Sequence, residues 1–174
     1  MFGDNVRIFI GAVAAVLLQV LIAPNIAIFN DAHNLMVVYT LIVAMLVPGS
    51  THAVLAFCMG MISDLLGYGP VGAMPLLLML ACVAASRVHA AFANGTMFIP
   101  LLVLAVALLL VELLYAFIAV GVAGTSPMDA FMYRALPCTL YNCVIGLLLY
   151  PLLRRLFEHN QPQYSSVMPG PHLD

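Results

Sequence analysis

The chain has 174 residues, 65% of them apolar and 7% charged, with a formal net charge of -2. Soluble domains are about half apolar and about a quarter charged, and a globule this small keeps too much surface to hide the surplus. The composition therefore excludes a soluble fold and leaves lipid as the solvent, while five Lys plus Arg exclude a nucleic-acid surface.

Polar and Gly/Pro breaks divide the chain into six apolar segments. The first runs from Arg7 to Ala23 and stops at Pro24 and Asn25. It carries no small-x-small cleavage site and more apolar segments follow, so it is read as a retained span and not as a signal peptide. The second, Asn34 to Val47, ends at "PGS", and the third, His52 to Leu66, ends at the elbow "GYGPVG". Both are shorter than the ~20 residues a membrane crossing needs, which leaves a re-entrant hairpin as an alternative for this pair. The fourth segment is Ala73 to Phe92, the fifth Phe98 to Val122 and the sixth Tyr133 to Leu156. The fold class expected is all-α, a polytopic membrane protein of six transmembrane helices. Residues 1–157 form one helical domain, and 158–174 form a polar, Pro-rich cytoplasmic tail expected to be disordered.

The arginines support six spans. With the N-terminus inside, Arg7, Arg87, Arg154 and Arg155 fall on the inner face as anchors, and only Arg134 falls outside. The acids Asp31, Asp64 and Asp129 fall on the outer side, so both termini are expected in the cytoplasm.

Asp64 is the oddest residue. It stands at the end of the third segment, followed by Gly67, Gly69, Pro70 and Gly72. A carboxylate there opposes the dipole of its own helix and needs a partner. Arg134 is the one outer cation, so an Asp64–Arg134 pair is expected, the simpler reading being a solvated interfacial acid. The glycines permit positive φ and close backbone approach, and Pro70 stops the helix. They make a tight link between antiparallel spans, and also a surface on which a partner can dock.

A buried polar layer forms the second constellation. At 1.5 Å per residue Gln19 lies about 18 Å from the Arg7 end of its span, Glu112 about 21 Å from Phe98, and Tyr141 and Asn142 about 17–20 Å from Arg154. These residues share one depth. Glu112 is expected to be protonated or hydrogen-bonded, facing Gln19 or the Tyr141/Asn142 pair. Interhelical glue is the simpler reading and a proton or substrate site the functional one. The cysteines, Cys58, Cys82, Cys138 and Cys143, read as small buried apolar residues, since no Cys-x-x-Cys pair exists. His33, His52 and His89 do not cluster, and no nucleophile–base pair, phosphate loop or HExxH motif is present.

Four stretches together resemble the MreD family of the bacterial rod-shape machinery. "LIAPNIAIFNDAHNLMVVYTLIVA" is similar to that family's junction between first and second spans, through Pro24, Asn25, Asn34 and Tyr39. "GMISDLLGYGPVGAMPL" resembles its acidic elbow, with Asp64, Gly67, Pro70 and Gly72. "VELLYAF" resembles its fifth span, through Glu112 and Tyr115, and "LPCTLYNCVIGLLLYPLLRRL" its last, through Pro137, Tyr141, Asn142, Pro151, Arg154 and Arg155. The departure is His33, where the family commonly has proline.

The resemblance implies a non-enzymatic scaffold or regulator of cell shape and lateral peptidoglycan synthesis, without cofactor, in the bacterial cytoplasmic membrane. It implies a six-helix fold similar to the S-component of energy-coupling-factor transporters. The implied partners are MreC, bound through its membrane helix, and more widely MreB, RodA, a class B penicillin-binding protein and the membrane lipids. Pro24, Asn25, Asp64, Gly67, Gly69, Pro70, Gly72, Arg134 and Pro137, with the Tyr141/Asn142 pair, are the residues expected to serve architecture or partner contact. The rival reading is a vitamin-binding transport subunit lined by Glu112, Gln19 and Asn142, although the chain has no tryptophan to stack on a vitamin ring.

Overall fold

The computed structural model describes residues 2–21, 34–47, 51–67, 70–92, 98–123, 128, 132 and 136–158. Pro24, Asn25, Gly69, Arg134 and the tail 159–174 lie outside the described residues, and so does one half of the expected Asp64–Arg134 pair. Among the described residues the chain forms six α-helices. They are α1 (Phe2–Leu21), α2 (Leu35–Leu46), α3 (Thr51–Leu66), α4 (Ala73–Ala91), α5 (Phe98–Ala123) and α6 (Leu136–Glu158).

The helices start where the local chemistry favours it. Pro75, Pro100 and Pro137 each occupy the first turn of α4, α5 and α6. In that turn the missing proline N–H has no intrahelical acceptor to lose, and the fixed φ suits the helix. Asn34 caps α2, its side-chain oxygen accepting from the Val37 N–H at 3.4 Å.

The shortest helix is the centre of the molecule. Residues 36–45 of α2 are all buried, and α2 packs against each of the other five helices. A helix surrounded by protein has no polar face to offer, which is why its sequence, LMVVYTLIVAML, is apolar all round. Its one buried hydroxyl outside the tyrosine, that of Thr40, donates back to the Met36 carbonyl at 2.6 Å. Tyr39 donates to the Ile8 carbonyl at 2.9 Å, and Gly11 gives the ring its room, since a Cβ there would overlap the phenol. That pair sets how closely α1 lies against α2.

The outer helices invert the pattern of a soluble protein. Phe98 is 76% exposed and Phe117 74%, and apolar side chains such as Phe9, Leu148 and Leu152 also face outward. Such a surface is at home only in hydrocarbon. Three helices, over Ala73–Ala91, Phe98–Gly121 and Leu136–Phe157, are long and apolar enough to cross a membrane; the apolar stretches Asn5–Leu21 of α1, Leu35–Leu46 of α2 and Thr51–Leu66 of α3 are shorter. At 12 residues, or about 18 Å, α2 does not span hydrocarbon unaided, but lipid does not reach it.

Successive helices run in opposite directions. The end of α1 meets the start of α2 through Gln19 and Leu35, and the end of α3 meets it through Ser63 and Asn34. Arg7, Arg87, Arg154 and Arg155 therefore gather at one end of the bundle, the arginine end, and the turn at Gly67–Gly72 lies at the other, the elbow end.

Candidate functional site

Two polar constructions stand in this apolar bundle, both toward the elbow end. The first is a knot around the start of α2. A helix leaves its first N–H groups without intrahelical partners, and in a lipid-embedded bundle no water replaces them. Here other helices supply the acceptors. Gln19 of α1 accepts from the Leu35 N–H at 2.8 Å, and Asn142 of α6 accepts from the Asn34 N–H at 3.2 Å. The Asn142 amide then donates to Glu112 of α5 at 3.2 Å and to the Cys138 sulfur at 3.6 Å. The Asn34 amide donates to Ser63 Oγ of α3 at 2.6 Å. Four helices are thus fastened to the first turn of a fifth.

The knot is dry. Asn142 is 0% exposed and Glu112 5%. The N-terminal end of a helix dipole attracts negative charge, and the Glu112 carboxyl stands one amide away from that terminus. Tyr115, one turn past Glu112, is buried as well, and Tyr141 is half-buried. The sequence places Gln19, Glu112 and Asn142 in this layer by depth. It misses Asn34 and Ser63, although asparagine just ahead of an apolar run is a readable helix-start signal.

The second construction is the elbow. Asp64 is 2% exposed and is not a solvated acid. Its Oδ2 accepts from the Gly72 N–H at 2.7 Å and the Met74 N–H at 3.1 Å. The dipole of α3 disfavours the carboxylate, but that of α4 favours it, and two charge-assisted bonds hold it there. Gly72 has φ of 99°, a left-handed backbone that side chains resist. Gly60 completes the joint, because a Cβ there would overlap the Pro75 backbone. The other carboxylate oxygen, Oδ1, is buried and has no hydrogen-bond partner among the described residues. Gly67 and Pro70 flank the turn, Gly67 exposed and Pro70 half-buried.

The remaining candidates are spread out. Arg87 and Arg155 are exposed at the arginine end, with Arg7 and Arg154 half-buried there, and Pro137 is half-buried in the first turn of α6. Of the cysteines, Cys82 is buried and Cys138 and Cys143 are half-buried, but Cys58 is exposed, against the expectation for all four. It lies on the outward face of α3, where a small apolar side chain suits lipid as well as core. Among the described residues no three His, Cys, Asp or Glu side chains come together as a metal site. Two grooves on the bundle surface, between α4 and α5 and between α5 and α6, are lined by apolar residues.

A family model described as rod shape-determining protein MreD matches residues 4–159. No curated protein and no solved structure matches the chain.

Proposed function

Because the chain belongs to the MreD family of rod shape-determining proteins, we propose that it is a non-enzymatic scaffold of lateral peptidoglycan synthesis, holding the single membrane helix of MreC within the bilayer. In this reading all six helices cross the bacterial cytoplasmic membrane, with the arginine end inside, as the positive-inside rule favours. The elbow end then faces the wall, where Asp64, Gly67, Pro70 and Gly72 shape the surface offered to extracytoplasmic partners, and MreB, RodA and a class B penicillin-binding protein complete the assembly.

One observation carries the proposal: polar groups from five helices bind one another. Gln19, Asn34, Ser63, Glu112 and Asn142 fasten five helices into one body. A reaction centre or transport site needs polar groups aimed into a cavity, whereas a scaffold needs a fixed shape on which others assemble. Helices in lipid associate by packing and a few such bonds, without a hydrophobic drive between them.

Co-purification tests the reading. The full chain and full-length MreC, co-expressed and extracted in mild detergent, are expected to elute as one complex. A truncated MreC lacking its membrane helix is expected not to. Retention of the truncated form at wild-type levels would refute the bilayer contact.

A further inference from the structure

Between α4 and α5 the outward surface opens into a groove of about 590 Å³, and every residue lining it is apolar. Its floor is made of small side chains, Ala81, Ala84 and Ala85 of α4 and Ala107 of α5. It runs along α5 from Ile99 to Leu114, about 22 Å at 1.5 Å per residue. Its walls are apolar throughout and it is open along its outer side, so the hydrocarbon around the bundle enters it. It is longer than half of the ~30 Å hydrocarbon thickness, so it can take an acyl tail along its whole length.

Positive charge flanks the groove toward the arginine end. Arg87 stands three residues past Ala84 and seven past Leu80, so it continues the stripe that forms the groove's edge. Arg87 is exposed, and among the described residues no hydrogen bond or ion pair is made by it. At the same end α5, a helix of 26 residues, begins at Phe98. The positive pole of its dipole lies there.

The geometry points to a binding site for one anionic phospholipid, its acyl tail laid along the alanine floor and its phosphate at Arg87 and the start of α5. Apolar walls select for the tail, and the cation beside the groove selects for the headgroup. A zwitterionic lipid of the same tails fills the groove but brings its own cation to Arg87 and gains less.

The full chain in detergent, examined by native mass spectrometry, tests this with phosphatidylglycerol and phosphatidylcholine of identical acyl chains. Phosphatidylglycerol is expected to be retained preferentially. Arg87→Gln is expected to lower that preference about fivefold, the factor one arginine supplies at an anionic surface, while Arg87→Lys keeps most of it. Arg87 is exposed, so the fold survives either change, and thermal melting checks that it does. Ala84→Leu, which fills the floor, is expected to reduce retention of both lipids. A phosphatidylglycerol with a photoreactive group midway along its tail gives a second readout in the wild-type protein, with crosslinks expected on α4 and α5. Equal retention of the two lipids would overturn the proposal, as would indifference to Arg87→Gln or crosslinks confined to other helices. So would a bound transmembrane peptide that displaces phosphatidylglycerol from the wild-type and Arg87→Gln proteins alike.

Discussion

Asn142 and Glu112 face each other across the α5–α6 interface, amide to carboxyl at 3.2 Å, and the same amide group reaches the backbone of Asn34 through its oxygen. Asn142 thereby joins three helices. Glu112→Gln preserves an acceptor for the Asn142 amide and is expected to change stability by under about 1 kcal/mol. Glu112→Ala leaves that amide with only the weak Cys138 sulfur and is expected to cost about 1–2 kcal/mol. Thermal unfolding in detergent measures both. A Glu112→Gln protein that melts like wild type yet fails to support rod shape would assign the carboxyl a proton-linked role in place of glue.

Asp64 holds the elbow through two backbone N–H groups of the next helix, at 2.7 and 3.1 Å. Removing a charged acceptor strands both donors, so Asp64→Ala is expected to destabilise by about 2–3 kcal/mol. Asp64→Asn keeps one carbonyl oxygen and is expected to lose about half of that. The checks are the melting temperature and hydrogen exchange at Gly72 and Met74, which should quicken in both variants, more in Asp64→Ala. Unchanged exchange in Asp64→Ala would mean that the elbow is held by something else.

What the sequence shows most clearly is length. The expected segments Ala73 to Phe92 and Phe98 to Val122 agree with α4 and α5 to within a residue, because long apolar runs cut by Gly and Pro leave little choice. α1 begins at Phe2, not Arg7, since a hydropathy reading does not register the polar turn Gly3-Asp4-Asn5. Depth is legible too: a fixed rise per residue is enough to put Gln19, Glu112 and Asn142 on one level. Azimuth is not, and so Asn34 and Ser63 go unseen as their partners. Charge counting aims Asp64 at Arg134, which lies outside the described residues; among those described its partners are neutral N–H groups eight and ten residues on. The six-helix arrangement around a buried α2 is likewise invisible in one dimension. Only its all-round apolar sequence hints that protein encloses it.

Two glycines separate packing from propensity. A Cβ on Gly60 would overlap the Pro75 backbone, which belongs to a helix and cannot swing away. Gly60→Ala is expected to force α3 from α4 at a cost of about 1–3 kcal/mol. Gly121 lies near the end of α5 with nothing within 4 Å of an added Cβ. Gly121→Ala is expected to stabilise by about 0.5–1 kcal/mol, the ordinary gain of alanine over glycine in a helix. Melting curves of the two variants are expected to move in opposite directions. Equal shifts would mean that α3 and α4 are not packed backbone to backbone.

The proposed orientation makes the two ends of α3 and α4 chemically distinguishable. Val71 at the elbow is 69% exposed, and Thr51 at the start of α3 is exposed at the arginine end. In a background with the four native cysteines replaced, Val71→Cys is expected to react with an impermeant maleimide added to intact spheroplasts. Thr51→Cys is expected to react only after the membrane is opened. The four described arginines set this outcome, because each guanidinium left on the cytoplasmic face avoids being carried across hydrocarbon. The inverse labelling pattern would turn the elbow toward the cytoplasm and remove the surface proposed for wall-side partners. Labelling of both sites from outside would show that α3 does not cross, leaving α2 and α3 as a hairpin entering from one face.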